Sequence, residues 1–335
     1  MKSIQLADGY KSKLSLRETQ RAIKFVKDTF QAQFVKSLNL ERITAPLIVM
    51  KETGLNDDLS GVERKVEFDI RNIEGTAEIV QSLAKWKRTA LKKYQFNIGE
   101  GIYTDMNAVR RDDDVDNIHS ILVDQWDWER VISREQRTEE YLKTTVRNIV
   151  NAVVATEEEV KHKFPQIKRT LSADVKFISS QELEDMFPTL PPKEREMAIT
   201  REYKTVFITE IGDTLRSGIK HDSRAPDYDD WKLNGDLLFW NETLNAPLEI
   251  SSMGIRVDAD SLRYQLDRAN AHSKLKFAYH QDILHDRLPL TIGGGIGQSR
   301  LCLLILEKLH IGEVQSAIWP KEMLEFCKKE GINIL

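Results

Sequence analysis

The chain has 335 residues, of which 41% are hydrophobic and 30% charged, and its formal net charge is −4. This composition is typical of a globular protein with a substantial core, and its acidic balance disfavours a nucleic-acid surface, which is usually basic. No apolar run has the length of a signal peptide or of a membrane span, roughly 18 residues. The two cysteines, Cys302 and Cys327, lack the spacing of a zinc site and favour a reducing compartment. We therefore expect a cytoplasmic protein that forms one domain over residues 1–335 and binds neither nucleic acid nor membranes.

The predicted elements begin with a helix over residues 15–38, where Ile23, Val26 and Phe30 belong to an apolar stripe of helical period. A strand is predicted at 42–50, with Pro46 placing it near a sheet edge or an irregularity. Further strands are predicted at 61–70, the start of 76–88, 98–110, 119–132, 173–180, 202–211, 235–241 and 246–257. Further helices are predicted at the end of 76–88, 135–163, 191–200, 259–271, 273–286 and the apolar run 301–306.

Most neighbouring predicted strands are joined by short polar loops, such as residues 111–118, and not by helices. Antiparallel strands can be joined in this way, whereas parallel strands need a longer crossover that is usually helical. We therefore expect an α+β fold, with a mostly antiparallel β-sheet flanked by helices, and not a doubly wound parallel sheet.

Four glycines occur within residues 293–297, directly before the apolar run. Neither the P-loop nor the dinucleotide fingerprint fits, because both require a glycine where Gln298 stands. The glycines could form a turn into a core helix, or leave room for a nucleotide. Arg300 favours the nucleotide, since a cation at the positive end of a buried helix is unfavourable unless it meets an anion or an aromatic face. A structural carboxylate as the partner of Arg300 is the alternative.

The strand "PLEISSMGIRVD" carries a carboxylate, two serines and an arginine, which is unusual for a core strand. Simple alternation places Glu249 and Ser251 on one face and Ser252 and Arg256 on the other, unless the glycine between them introduces a bulge. A hairpin would bring Asp236 of the preceding strand within reach. Carboxylates and phosphates are the oxygen ligands that Mg²⁺ takes, so the hairpin could hold Mg²⁺ and a phosphate.

Several segments resemble the class II aminoacyl-tRNA synthetase catalytic core. "TIGGGIGQSRL" resembles motif 3, and "AVRRDDD…HSILVDQWDWE" resembles motif 2. The first helix followed by "RITAPLIV" resembles motif 1, the dimerisation element, and "EISSMGIR" resembles the corresponding strand of the aspartyl and asparaginyl synthetases. Longer strings, among them "SLAKWKR", "GEGIYTDMNAVR", "RAPDYDDW" and "LNGDLLFWN", are similar to the ammonia-dependent, AMP-forming asparagine synthetases over nearly the whole chain.

The resemblance implies a two-step reaction. The β-carboxylate of L-aspartate would attack the α-phosphate of ATP, giving β-aspartyl-AMP and pyrophosphate, and ammonia would then displace AMP. It also implies Mg²⁺ and a homodimer.

The resemblance assigns a role to individual residues. The implied catalytic residues are Arg110, Lys87 and Asp229. The implied aspartate pocket consists of Asp57, Lys87, Gln125, Asp127, Asp229 and Ser252. The implied ATP contacts are Arg110 on the α-phosphate, Arg256 on the β- or γ-phosphate, Arg300 on the adenine, and Glu249, Ser251 and Gly295. The implied metal ligands are Asp236 and Glu249.

Each role has a simpler alternative. Lys87 could belong to a solvated helix face, and Asp57 could be only a turn former. Asp127 and Glu129 share a strand face that could point to solvent. His119 could contact phosphate or be structural.

Three other functions are disfavoured. A true aspartyl- or asparaginyl-tRNA synthetase carries an anticodon-binding barrel before motif 1, but here the motif 1 helix is expected near residue 15. An inactive regulatory homologue would be signalled by loss of Arg110, Glu249 or Arg300, all of which are present. A glutamine-hydrolysing synthetase needs a nucleophilic cysteine near its N terminus, and residues 1–20 contain none.

Overall fold

A computed structural model describes residue 7 and residues 9–59 and 63–335. The helices in these ranges are α1 Leu16–Leu38, α2 Ala84–Lys93, α3 Glu139–Lys163, α4 Ser180–Met186, α5 Pro192–Tyr203, α6 Ala259–Arg268, α7 Ala278–Leu284, α8 Gln298–Ile305 and α9 Lys321–Lys329. Short 3₁₀ helices occur at Lys51–Thr53, His272–Lys276 and Ile311–Glu313. The strands are β1 Leu40–Arg42, β2 Ile48–Met50, β3 Glu67–Ile70, β4 Ile73–Ile79, β5 Gly101–Val109, β6 Leu122–Val131, β7 Lys176–Ser179, β8 Thr205–Thr209, β9 Asp229–Asn241, β10 Ala246–Arg256 and β11 Thr291–Gly297.

The main sheet has eight strands in the order β1-β5-β6-β11-β10-β9-β8-β7. The outermost pairs, β1 with β5 and β7 with β8, are parallel, and the pairs between them are antiparallel. A smaller antiparallel sheet contains β2, β4 and β3. The expected α+β fold with a mostly antiparallel sheet is therefore confirmed.

One face of the main sheet is apolar and is covered by α1, α3 and α8. Trp126 and Trp128 of β6 point to this side, where the ring of Phe30 packs 4.7 Å from Trp126 and that of Phe34 packs 6.0 Å from Trp128. All four side chains are at most 1% exposed. Burial of this area is the main source of stability, since each large apolar side chain contributes about 1.5–3 kcal/mol.

The other face of the same strands is polar. Gln125, Asp127 and Glu129 alternate with the tryptophans and therefore lie on the opposite side of β6. Gly293 and Gly295 of β11 lie beside them, and a Cβ at either glycine would collide with the Glu129 carboxylate or the Gln125 amide. The glycines belong to an extended strand and not to a turn. Because glycine has no side chain, these positions leave room for the polar side chains of β6 to extend over β11.

The structure differs from the predicted elements at several places, and it adds helix α9 and strand β11, for which no element was predicted. Residues 42–50 do not form one strand, because the chain leaves the main sheet before Pro46 and joins the smaller sheet at β2. Residues 273–286 form a 3₁₀ turn followed by α7, and not one helix. An additional helix, α4, follows β7 and begins with a capping box of Ser179 and Glu182.

Among the described residues, no helix combines the length and the apolar character needed to cross a membrane.

The close approach of the neighbouring strands β10 and β11 can be tested by adding one methyl group at Gly294. A Cβ at Gly294 would lie 2.7 Å from the Ser252 carbonyl oxygen, which is fixed by the sheet. Gly294→Ala is expected to lower the free energy of unfolding by about 1–3 kcal/mol through overpacking. In the same strand, a Cβ at Gly297 would meet only the Arg300 side chain, at 3.2 Å, so Gly297→Ala is expected to stay within about 0.5 kcal/mol. Urea unfolding of both variants measures the difference, and equal losses would contradict this account.

Candidate active site

A cavity of about 750 Å³ opens on the polar face of the main sheet. Its walls include the start of α2, the connection between β5 and β6, residues 222–225, and parts of β10, β11 and α8. Of the residues predicted for the site, those that line the cavity are Asp57, Lys87, Arg110, Gln125, Asp127, Asp229, Glu249, Ser252, Arg256, Gly295 and Arg300. The fold thus gathers residues from almost 250 positions of sequence at one site.

Lys87 lies at the bottom of the cavity, on the buried side of α2. Its ammonium donates to the Asp127 carboxylate and to the carbonyl oxygens of Trp128 (2.9 Å) and Gly294 (3.1 Å). Its side chain is 1% exposed. Burial lowers the pKa of Lys87, and the opposing attraction of Asp127 and Glu129 does not fully offset it. The alternative of a solvated helix face is therefore wrong for Lys87.

Arg256, at the end of β10, is equally buried and lies between two carboxylates. Its guanidinium donates to Glu129 at 2.7–3.1 Å and also pairs with Asp229. The burial of Glu129 alone would raise its pKa, but Arg256 and Lys87 hold that pKa below its ordinary value. Asp127 and Glu129 are thus interior groups and not solvent-facing. This arrangement argues against the expected phosphate contact of Arg256, because the guanidinium already has two anionic partners.

Asp57 approaches the cavity from the loop that follows the first 3₁₀ helix. Its Oδ1 accepts a hydrogen bond from the Leu59 amide (3.1 Å), while its buried Oδ2 has no hydrogen-bond partner among the described residues. Burial raises the pKa of Asp57, Asp227 raises it further, and the cation of Lys85 opposes both. A buried carboxylate oxygen with a free lone pair at a cavity wall is suited to receive a donor from a ligand.

The opposite end of the cavity holds the cations Arg110 and Arg300 beside acidic residues such as Asp113 and Glu249. Arg110 directly follows β5, and its Nε is buried without a hydrogen-bond partner within the described chain. Arg300, in the first turn of α8, donates to the Glu249 carbonyl (3.0 Å) and lies 3.7 Å from the Glu249 carboxylate. His119 lines the same end and contacts Asp116 at 2.9 Å. This end could hold a polyanion such as a chain of phosphates.

Two carboxylates lie close together between these ends. Asp236 on β9 pairs with Arg224, and Glu249 on the neighbouring strand β10 lines the cavity. Burial raises the pKa of Asp236 to about 6, with a further contribution from Glu249, against the opposing effect of Arg224. Burial also tends to raise the pKa of Glu249, but Arg300, Arg224 and Lys193 hold it below its ordinary value.

The family model described as aspartate-ammonia ligase matches residues 17–331 of the chain. The chain belongs to the aspartate–ammonia ligase family. A relative named aspartate–ammonia ligase from Clostridium tetani is 58% identical over 327 residues, which cover 97% of this chain and 96% of the relative. Another of the same name, from Levilactobacillus brevis, is 55% identical over 331 residues, which cover 98% of this chain and 99% of the relative. The resemblance found in the sequence is therefore confirmed.

Solved structures show that this member of the ligase family has the class II aminoacyl-tRNA synthetase fold. The asparaginyl-tRNA synthetase from Pyrococcus horikoshii, complexed with asparaginyl-adenylate, superposes with a TM-score of 0.66 over 90% of this chain and 70% of that chain, at 15% identity. The aspartyl-tRNA synthetase from Entamoeba histolytica gives a TM-score of 0.60 over 89% of this chain and 58% of that chain, also at 15% identity. The predicted fold class is confirmed.

A β-bulge in β10 overturns the predicted faces of that strand. Glu249 pairs with Leu238 and Ser251 pairs with Leu237, so one residue is extra between them. The bulge places Glu249 on the same side as Ser252, which lies opposite Asp236. Ser251 instead faces the apolar side, where its buried hydroxyl has no hydrogen-bond partner in the part of the chain described. The geometry of this ligase-family member thus argues against Ser251 as an ATP contact.

Sequence reasoning missed several residues of the site. Arg224 lines the cavity and holds Asp236, and Asp227 receives Lys85, Lys274 and His280 beneath the Asp57 loop. Both missed residues belong to "RAPDYDDW", a string that matched the family but was interpreted only through Asp229. The clustering of an arginine and three carboxylates in residues 224–230 was the signal available.

Two adjacent carboxylates of the ligase chain should respond oppositely to neutralisation. The folded-state pKa of Asp57 is raised, so its ionisation opposes folding above its ordinary range. The pKa of Asp58 is lowered to about 2, because Lys274 and Lys65 outweigh the effect of burial, so its ionisation favours folding. At pH 7, Asp57→Asn is expected to raise the urea midpoint and Asp58→Asn to lower it.

Repeating the measurement at lower pH checks the cause. Below the ordinary range of aspartate, Asp57 is protonated in the folded and unfolded chains alike, so the gain from Asp57→Asn should vanish toward pH 3. A gain that does not depend on pH would show that charge burial is not its origin.

Proposed function

We propose that this chain makes L-asparagine from L-aspartate, ammonia and ATP through β-aspartyl-AMP, releasing AMP and pyrophosphate. The observation that carries the proposal is the distribution of charge in the cavity: one end presents buried carboxylates and cations in alternation, and the other presents Arg110 and Arg300 beside the carboxylates of Asp113 and Glu249. A zwitterionic dicarboxylic acid fits the first end, and a nucleotide phosphate chain fits the second.

The amino-acid end would recognise aspartate by charge complementarity. Its proposed members are Asp57, Lys87, Gln125, Asp127, Asp229 and Ser252, all at the cavity wall. Asp229 and Asp127 would accept from the α-ammonium group, and Lys87 would meet a carboxylate. Arg256 supports this end by neutralising Asp229 and Glu129. Since these charges are paired before substrate arrives, the site is preorganised and needs little rearrangement.

The nucleotide end would bind the phosphates and base of ATP. Arg110 is the proposed ligand of the α-phosphate, where its planar guanidinium can bridge a phosphate oxygen and the attacking carboxylate. Arg300 is the proposed partner of the adenine face, beside Gly295. Glu249, whose carboxylate lies 3.7 Å from the Arg300 guanidinium, would face the phosphates.

Asp236 and Glu249 are the proposed Mg²⁺ ligands. The described residues contain no group of three or more histidine, cysteine, aspartate or glutamate side chains suited to a metal. Two carboxylates nevertheless fit Mg²⁺, which typically takes one or two protein carboxylates and completes its shell with phosphate oxygens and water. When bound there, Mg²⁺ would neutralise phosphate charge and favour departure of pyrophosphate.

The proposed reaction consists of two displacements, and in each of them one bond forms and one bond breaks. In the first, an oxygen of the β-carboxylate forms a bond to the α-phosphorus, and the bond from that phosphorus to pyrophosphate breaks. In the second, ammonia forms a bond to the activated carbonyl carbon, the carbon–oxygen bond to AMP breaks, and a proton leaves the nitrogen. Arg110 would stabilise charge in the first step by electrostatics, and the free oxygen of Asp57 is a proposed contact for the nitrogen in the second.

Further properties belong to the same proposal. A single catalytic domain is supported by the large sheet that spans the chain. A cytoplasmic location is supported by the two free, buried cysteines. A homodimer is supported by exposed apolar side chains around the smaller sheet, Leu47, Ile48 and Ile73, next to the motif 1 segment.

The reaction can be tested directly with the purified chain. Incubation with aspartate, ATP, Mg²⁺ and ammonium is expected to yield asparagine, AMP and pyrophosphate in equal amounts. Glutamine in place of ammonium, and tRNA as a competing acceptor, are expected to give no product. Formation of ADP, or transfer of aspartate to tRNA, would refute the proposal.

Arg110 and Arg111 provide a matched pair for the α-phosphate contact. Arg110 lines the cavity, whereas its neighbour is exposed and does not line it. Arg110→Ala is expected to lower kcat by about a hundredfold or more, as loss of a preorganised charge-stabilising donor does, while circular dichroism stays unchanged. Arg111→Ala should keep kcat within about twofold, the range of a neutral surface substitution. Similar rates for the two variants would remove Arg110 from the reaction.

A further inference from the structure

Arg224 lies on an irregular segment between β8 and β9, and the outer part of this segment is anchored to α4 and α5. Ser217 donates to the Glu184 carboxylate at 2.7 Å, and His221 contacts Glu196 at 3.1 Å. Lys193 pairs with Asp222 at 3.3 Å. These contacts hold the backbone before Arg224, and the Trp231 indole N–H, which donates to the Ala225 carbonyl at 3.3 Å, holds the backbone after it, without involving the Arg224 side chain. Movement of the Arg224 guanidinium therefore does not require the segment to unfold.

The guanidinium of Arg224 is only partly satisfied. One Nη donates to the Asp236 carboxylate and the other donates to the Ser223 carbonyl (3.1 Å). Its Nε is buried and has no hydrogen-bond partner in the described ranges. The side chain is 13% exposed, and the residue lines the cavity. A guanidinium presents five donors, so a planar oxyanion entering the cavity can engage donors that Asp236 leaves unused.

Arg224 and a metal ion would compete for the same carboxylate. The ion pair occupies Asp236 through its Oδ1, and a cation bound by Asp236 and Glu249 would lie within a few ångströms of the positive guanidinium. Like charges at such a short distance repel each other. Metal binding between the two strands is therefore opposed unless the guanidinium moves or finds an anion.

The surrounding charges indicate which anion that is. Arg224 interacts electrostatically with Glu249 on the nucleotide side and with Tyr228 and Asp229 on the amino-acid side. The amino-acid side already pairs its own carboxylates with Arg256 and Lys87. A phosphate chain that passes Glu249 is the anion that can satisfy Arg224 and complete a cation shell at once.

We propose that Arg224 is an exchangeable counter-ion, which pairs with Asp236 until ATP supplies a phosphate for its guanidinium and thereby frees the carboxylate for a divalent cation. This inference rests on the proposed function for the identity of the nucleotide. Its consequence is that the chain binds a divalent cation weakly alone and tightly with ATP, so metal and nucleotide bind cooperatively.

The test measures Mn²⁺ binding by electron paramagnetic resonance and binding of α,β-methylene-ATP by calorimetry, using the full chain. Arg224→Gln keeps side-chain length but removes the charge, and Arg224→Ala is the second variant. Both are expected to bind Mn²⁺ alone about five- to tenfold more tightly than the unmodified chain, and to bind the Mn²⁺ complex of the analogue more weakly by a similar factor. Couplings of this size are common between neighbouring ligand sites.

Arg216→Ala is the matched control, because Arg216 lies on the same segment in an exposed pair with Asp185. It should change neither constant. Adding Asp236→Asn to Arg224→Gln should abolish the gain in Mn²⁺ affinity, since the carboxylate under competition is gone.

Any one of three results in the Arg224 variants would overturn the proposal. The first is an unchanged affinity for Mn²⁺ in both variants, and the second is an unchanged affinity for the analogue complex. The third is that the variants bind L-aspartate more weakly but bind the analogue normally. The last would assign the guanidinium to the amino acid. If the Arg224 variants bind Mn²⁺ more tightly and the analogue complex more weakly, but the unmodified chain makes no asparagine, the proposed reaction is refuted and the role of Arg224 is supported. Asparagine synthesis without these shifts would refute only the role of Arg224.

Discussion

The structure depends on a set of paired charges buried on one face of the main sheet. Arg256 joins Glu129 to Asp229, and Lys87 joins Asp127 to the same group. An unpaired charge in this position would cost several kcal/mol, and removal of one member of such a pair typically costs about 3–5 kcal/mol. Hydrophobic residues of equal volume would stabilise the sheet as well or better. The network is therefore best explained by the chemistry of the cavity above it, which needs fixed charges of both signs.

The same network determines how charge differs between the two ends of the cavity. At the amino-acid end, Arg256 and Lys87 pair with Glu129, Asp229 and Asp127, whereas Asp57 keeps an oxygen without a hydrogen-bond partner in the described residues, so the substrate's own charges decide its orientation. At the nucleotide end, the Arg110 Nε has no hydrogen-bond partner within the described chain and Arg300 lies beside Glu249, so both guanidinium groups have donors left for a phosphate. Asp236, Glu249 and Arg224 lie at the boundary between the ends. The boundary is where a phosphate and a carboxylate must meet for the proposed adenylation.

Much of this arrangement could be predicted from particular residues. The sequence "QWDWE" alternates large apolar and polar side chains, which required a strand with one apolar and one polar face. Most of the residues that the family strings singled out for the site line the cavity. The failures have physical causes. The bulge in β10 adds one residue between Glu249 and Ser251, so Glu249 lies on the opposite face from the one that simple alternation predicts. An extra residue of this kind cannot be detected from alternation along one strand, because it is defined by the pairing with the neighbouring strand. Arg224 was missed because an irregular loop has no period.

The sequence by itself determined the fold class and the family, and it predicted a set of site residues most of which line one cavity, because alternation, short connections and long family strings are all local patterns. Only the tertiary structure decided which polar groups are buried and which charges face one another. Asp127 and Glu129 could equally have faced water, and Arg256 could have met a phosphate. Their burial against Lys87 and Asp229 follows from contacts between residues far apart in the chain, such as Glu129 and Arg256, which are separated by 127 positions. Such pairings leave no trace in the local sequence.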